Sequence, residues 1–420
     1  MTSDTIHTGP SPGRGPRAAA HPDTAPHRAT PADVAEASAL LRRGDAERRT
    51  LYFAGAGTKA QWGGEVEPAD LTVSTAGLAG LISHQPGDMT AAVGAGMPLA
   101  QLQTLLARHG QWLALDPATE PDGATIGGLL ATGDAGPRRL RYGTMRDLAI
   151  GATLVLADGT VAHSGSHVIK NVAGYDLTKL FHGSLGSLGL IAEVIVRLHP
   201  RPPASATVNA AASAAQANTA AAQLSRCGVE PSALEWIGPT GAEPAGTLLA
   251  RIDASPAGVA AGTSRMAALL STLGLDPHAL DDTDGEEQWR RVAAGAAGGP
   301  ADSVIRGGTR PDRLPEVADA LARLADQHGV AATLVSSAAL GLHTAVLSGA
   351  PHAQTDVARG WRRRIEELGG ALSVRNRPAE VAAELTAWPD PPSAVALLRA
   401  VKHRLDPHAR CAPGRFRGWY

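Results

Sequence analysis

ATIGGLLATGDAGPRRLRYGTMR, residues 124–146, holds Gly127, Gly128, Gly133, Gly136 and Gly143 among mostly small neighbours. Between Thr125 and Gly133 the only large side chains are Ile126, Leu129 and Leu130. Glycine adopts positive φ without a steric penalty and lacks the Cβ that would hold a ligand away, so this stretch can aim backbone N–H groups at a phosphate or lie flat on a ring. With 48 glycines among 420 residues, a loop-rich connection is the competing reading, and the flanking sequence has to decide.

Upstream, Leu51-Tyr52-Phe53-Ala54 reads as a buried strand running into Gly55-Ala56-Gly57-Thr58-Lys59, a second small-residue turn suited to phosphate. The glycine spacing fits neither a Walker loop nor GxGxxG. Residues 71–75 and 89–93 read as strands, with a Pro86-Gly87-Asp88 turn before the second. Pro98 opens a helix with Leu99, Leu102, Leu105 and Leu106 on one face and Gly110 at its end. Asp116-Pro117 then bends the chain into the glycine stretch. Downstream come an apolar run over 148–156, an Asp158-Gly159 hairpin turn, a return strand from Thr160, and a polar loop over 170–176. Gly183, Gly186 and Gly189 lead into a strand over 190–198 that Pro200 stops.

The totals narrow the class. The length suffices for more than one core, and a formal charge of -2 gives no bulk attraction to nucleic acid or anionic membrane. Aromatics are only 3% of residues, so the core is aliphatic. Cys227 and Cys411 alone cannot frame disulfides or a metal cluster, so no metal site is expected and the setting reads as reducing and cytoplasmic. No apolar run is long enough to span a bilayer, and the first thirty residues lack the apolar segment of a secretory signal.

Composition divides the chain into a disordered tail (1–29), a first domain (30–200), an alanine-rich linker (201–222), a second domain (223–390) and a C-terminal segment (391–420). Thr30-Pro31-Ala32-Asp33 reads as a helix start with Thr30 as the hydroxyl cap. The second domain alternates strands (233–237, 247–252, 303–305, 331–336, 342–347) with helices (258–273, 314–327), the pattern of an antiparallel α+β layer.

Together these stretches resemble the FAD-binding fold of the vanillyl-alcohol oxidase and para-cresol methylhydroxylase class. Within it they are most similar to FAD-binding subunits of glycolate oxidase. The resemblance rests on residues 55–59, 86–90, 116–117, 124–133, 136–143, 170–176 and 183–193, with Leu405-Asp406-Pro407 and Pro413-Gly414-Arg415 at the end. It implies an α+β fold: a two-part FAD-binding domain of the para-cresol methylhydroxylase type and a smaller antiparallel α+β second domain, with residues 391–420 returning to the first.

It further implies that Ala56, Gly57 and Thr58 supply N–H groups to the FAD pyrophosphate, with Lys59 close by or solvated. Ile126, Gly127, Gly128, Thr132 and Gly133 would pass the diphosphate and isoalloxazine, and Pro117 would be a further cofactor-binding residue. Tyr142, Gly143, Gly186 and Ile191 would hold the ribose and adenine. Leu185 replaces an acidic residue common in dehydrogenase relatives. No histidine lies between Phe53 and Gly64, so FAD is expected to be non-covalent; His84 reads as an exposed turn residue. The histidine- and acid-rich substrate motif of 2-hydroxy-acid dehydrogenases has only His343 in the corresponding place. A 2-hydroxy acid needs a base for its hydroxyl proton and a cation for its carboxylate. His343, Arg375 and Arg415 are the candidates, and no spacing brings them together.

The implied activity is that of an FAD-dependent oxidoreductase subunit taking or relaying electrons from a small 2-hydroxy acid. The implied partners are a second flavin subunit and an iron–sulfur subunit, through which a cytoplasmic chain could lie against the inner face of the membrane. A stand-alone oxidase or dehydrogenase of another alcohol and a non-catalytic flavoprotein scaffold are the alternatives.

Overall fold

The computed structural model describes residues 26–167, 175–239 and 246–420. Most of the expected disordered tail and most of the polar loop over 170–176 lie outside the described residues. His27–Ala29, however, is a strand that pairs in parallel with Leu71–Val73, so order begins earlier than the composition suggested.

The first domain has two parts. In the first, Leu71–Ser74 is the middle strand of a parallel sheet between His27–Ala29 and Leu51–Ala54. The helix Val34–Ala46 covers this sheet through Ala37 and Leu41. Its cap is Asp33, whose carboxylate accepts the Glu36 N–H at 2.7 Å, and Thr30 lies too far upstream to serve. In the second part, five antiparallel strands lie in the order Leu81–Gln85, Thr90–Gly94, Leu190–Arg197, Ala149–Val155, Val161–Gly165. One face buries the helices Leu99–Ala107 and Ile126–Thr132 through Leu99, Leu102, Leu106, Ile126, Leu129 and Leu130.

The second domain is an antiparallel sheet of eight strands, in the order Pro277–Leu280, Ala204–Ala212, Gly246–Ala254, Ala233–Pro239, Ala331–Ser337, Leu342–Ser348, Ser303–Gly308, Ala371–Asn376. The expected linker over 201–222 is therefore corrected. Residues Ala204–Ala212 form a strand flanked by partners on both sides, and Ala214–Leu224 is a helix capped by Ser213 and Gln216. Its alanines gave no hydrophobic contrast along the sequence, yet Ala217, Ala220 and Ala221 are buried because short side chains let helix and sheet approach closely. Helices Ala214–Leu224, Pro256–Thr272, Leu314–His328 and Pro351–Glu367 fill one face of the sheet. On the opposite face Asp282–Ala297 packs through Trp289 and Val292 on Ala233, Leu249 and Val335. The rest of that face looks toward the first domain.

Several bonds close the two halves on each other. Arg138 reaches Asp253 at 3.3 Å, Arg141 donates to the Asp253 carbonyl at 2.8 Å, and the Gly63 N–H donates to Val374 at 3.2 Å. Residues of the C-terminal segment bond to the first domain. Asp406 accepts the N–H groups of Arg410 and Cys411 and the Lys402 ammonium, and the Ala412 N–H donates to Leu51 at 2.8 Å. Among the described residues no helix is long and apolar enough to cross a membrane.

Candidate functional site

The two glycine bends meet. Gly55 follows the strand Leu51–Ala54, and a Cβ there would collide with Thr125 Oγ1, so only glycine lets the first turn lie against the start of the second. Gly57 has φ +77°, and a Cβ built on it would point into open space. The N–H groups of Ala56, Gly57, Thr58 and Lys59 find no acceptor among the described residues. Their carbonyl side is tied down: the buried Arg415 guanidinium donates to the carbonyls of Ala60 and Gly64, each at 3.1 Å, and to that of Trp62. Lys59 is buried rather than solvated, 3.7 Å from Asp134, and burial holds its ammonium below the ordinary lysine range.

The second bend is a short helix, Ile126–Thr132, capped by Thr125, whose hydroxyl accepts the Gly128 N–H at 3.3 Å. The Gly127 N–H is already used, donating to Ala95 at 2.8 Å, and a Cβ on Gly127 would run into the Ala95 Cβ. The bareness of Gly127 therefore admits the neighbouring chain on one side, while the residue also lines the cleft. Gly127, Gly128 and Thr132 face the cleft, as do Gly186 (φ +77°), Ile191 and the left-handed Leu185 (φ +50°). They share with Tyr52–Ala60 a cavity of about 100 Å³.

The other expected cofactor residues are not on its wall. Ile126 is fully buried beneath it, Gly133 ends the helix against the His182 ring, and Pro117 accepts the Glu120 N–H within its own turn. Tyr142 packs edge-on between Trp112 (5.5 Å) and His199 (5.0 Å), with Gly143 against Asp147. Residues 136–142 turn toward the second domain instead, where Arg138 and Arg141 meet Asp253. His84 bonds Gln111 at 2.9 Å, away from the cleft.

Gly57, Thr58 and Ala60 also form the near edge of a larger cavity of about 440 Å³ between the halves of the molecule. One side of it is apolar, made by Val292, Ala293 and Ala296 of the helix Asp282–Ala297 with Val304, Val335 and Leu342 of the sheet. The other is charged. Arg375 lies 3.9 Å over the Trp62 ring and 3.8 Å from Asp134, and burial lowers it to about 10. Asp134 is also bonded by Thr119 at 2.8 Å. Arg306 lines the cavity, yet its guanidinium forms no hydrogen bond or ion pair with any described residue. Burial, with Arg375 and Arg139 nearby, lowers its pKa well below the ordinary value. Glu235, 3% exposed, is pushed up to about 7 by burial, which outweighs the Ser337 hydrogen bond and the attraction of Arg306 and Arg139.

Of the catalytic candidates, only Arg375 is brought to this cavity. Arg415 is a brace under the first turn. His343 is fully buried on the helix-covered side of the sheet, bonded to Ser336 (3.0 Å) and Thr309 (2.9 Å), and burial lowers it to about 4. Arg306 and Glu235 escaped the reading of the sequence. The available signal was a lone charge in an otherwise apolar strand, in SVIRGG and ALEWIG, at the parity opposite to the buried Ile305 and Leu234.

A parallel sheet, an antiparallel sheet and a cap sheet around two bare glycine bends define the para-cresol methylhydroxylase type of flavin-binding fold. Residues 25–165 match the family described as the FAD binding domain, and the cofactor is FAD. The donor set fits: free amides over 56–59 for a diphosphate, and bare Gly57 and Gly128 where a flat group must come close. The chain is 35% identical over 159 residues to glycolate oxidase subunit GlcE of Escherichia coli, covering 38% of this chain and 45% of that one. It is 34% identical to a D-lactate dehydrogenase of Archaeoglobus fulgidus, covering 41% and 38%, and 39% identical to glycolate oxidase subunit GlcD of Bacillus subtilis, covering 29% and 26%. It thus spans less than half the length of each of these curated relatives. A solved alkyldihydroxyacetonephosphate synthase shares the fold, with a TM-score of 0.70 at 17% identity over 92% of this chain and 76% of that one.

Proposed function

We propose that this chain is an FAD-dependent oxidoreductase acting on a 2-hydroxy acid. The observation that carries the reading is Arg306, a guanidinium without a described partner on the wall of a cavity that opens beside the Ala56–Lys59 amides. A half-buried cation that faces a cavity without a partner is costly, and a substrate carboxylate would relieve that cost. The residues over 56–59 would hold the FAD diphosphate, with Gly128, Gly186 and Ile191 along the rest of the dinucleotide. FAD would be held non-covalently, and it would supply a two-electron acceptor at the edge of the larger cavity. Arg306, with Arg375, would bind and orient the carboxylate, and the Val292–Ala296 side would keep water out.

The names of the relatives support a subunit role. We place the chain in a complex with a second flavin subunit and an iron–sulfur subunit, in the cytoplasm or held at the inner membrane face by those partners. The purified chain should be yellow and release FAD on heating. Glycolate or D-lactate should bleach the flavin in the assembled complex. Bleaching of the isolated chain by another alcohol would favour a stand-alone enzyme, and flavin that no donor reduces would favour a scaffold.

A further inference from the structure

We propose that Glu235 is the proton acceptor of this site, taking the hydroxyl proton of the substrate; the inference rests on the 2-hydroxy-acid reading above. Glu235 sits in the strand Ala233–Pro239, between the apolar Leu234 and Trp236, and faces the cavity on the same sheet wall as Arg306. Ser337 donates to Oε1, whereas Oε2 accepts no hydrogen bond from any described residue. One oxygen is thus fixed in direction and the other is left free, as a positioned base requires.

The other acids of the cavity are occupied or exposed. Asp134 is taken up by Lys59, Arg375 and Thr119. Asp116 accepts the Arg138 N–H at 3.1 and 3.2 Å, and Asp122 is exposed. The charged groups acting on Glu235 are Arg306, Arg139 and Asp116, while the opposing helix presents the apolar Val292, Ala293, Ala296 and Ala297. With burial dominant, the carboxyl is pushed to about 7, where half of it is ready to accept a proton at neutral pH.

The step balances as follows. The substrate O–H bond breaks and its proton passes to Glu235 Oε2. The freed oxygen pair would form the C=O bond as the Cα–H pair leaves as hydride, for which bound FAD would supply the two-electron acceptor. The products would be a 2-oxo acid and a neutral Glu235, with the electron pair passed to that acceptor. Arg306 holds the carboxylate meanwhile and, as a fixed cation, opposes any drift of Glu235 toward permanent protonation.

Glu235→Gln tests this, because the amide keeps an acceptor for Ser337 and loses the base. In the assembled complex, flavin reduction by glycolate and D-lactate should fall on the order of 100- to 10,000-fold and lose its rise through pH 7. Oxalate binding, read from the flavin spectrum, should change by less than about threefold at pH 6, where Glu235 is mostly neutral. Calorimetry of oxalate binding in buffers of different ionisation enthalpy should show fractional proton uptake near pH 7 in the parent and none in the variant. Unchanged reduction and an unchanged pH profile in Glu235→Gln, with the parent active, would overturn the assignment while leaving the functional reading intact. A parent complex that neither acid reduces would remove the functional reading and the assignment with it.

Discussion

At the scale of single residues, the decisive feature is charge placed where an apolar sheet would be expected. Arg306 has its guanidinium in the cavity with no described partner, so its replacement should be felt by the ligand more than by the fold. Arg306→Met should weaken oxalate binding about 10- to 100-fold, the range of one charge-assisted hydrogen bond, while thermal stability holds or rises. Unaltered oxalate affinity would show that the carboxylate sits elsewhere. Glu235 makes a stability prediction of its own. Its folded pKa, about 7, lies above the ordinary value of 4.5, so between those values the native state holds a proton that the unfolded chain has lost. Stability therefore falls as pH rises through that window, by up to roughly 3 kcal/mol. Glu235→Gln should flatten the decline between pH 5 and 8 in denaturant titrations; an identical slope in both proteins would rule this out.

At the scale of elements, the two glycine bends divide the work. The turn over 55–59 presents free N–H groups, and Gly57 holds it in the left-handed region. Gly57→Val should reduce FAD retention with a modest effect on the fold, since its Cβ meets nothing and only the local backbone is strained. Gly127→Val should do something different. Its Cβ would strike Ala95 in the core between helix and sheet, so the expected result is a loss of about 1–3 kcal/mol or more in the flavin-free protein. Thermal unfolding of the two apo variants separates the cases. Loss of flavin from Gly127→Val at full apo stability would restore the simpler view that this glycine makes room for the cofactor.

At the scale of the whole molecule, the cofactor turn is braced by the far end of the chain. Arg415 spans to the carbonyls of Ala60, Trp62 and Gly64, and Trp388 of the second domain donates to the Arg415 carbonyl at 2.8 Å. Arg415→Lys keeps the charge but not the planar fork that reaches several carbonyls. It should therefore lower both Tm and FAD affinity, measured by unfolding and by flavin release in dilution. A Tm drop with unchanged flavin release would show that the turn keeps its shape without the brace.

The sequence by itself determined the local parts: both glycine bends, most strands of the first domain, the helix Leu99–Ala107 and the FAD assignment. Each of these is written in contiguous residues, where glycine, proline and apolar period act on the near chain. It did not reveal the strand Ala204–Ala212 or the helix Ala214–Leu224, because alanine carries no contrast from which a face can be read. Nor could it separate His343 from Arg306, two polar side chains in neighbouring strands that project to opposite faces of one sheet. Only the tertiary structure decided that one is sealed among helices and the other opens into the cavity. The reason is that which face of a strand meets the cofactor domain is fixed by sheet pairing and by the packing of distant helices, not by the strand's own residues.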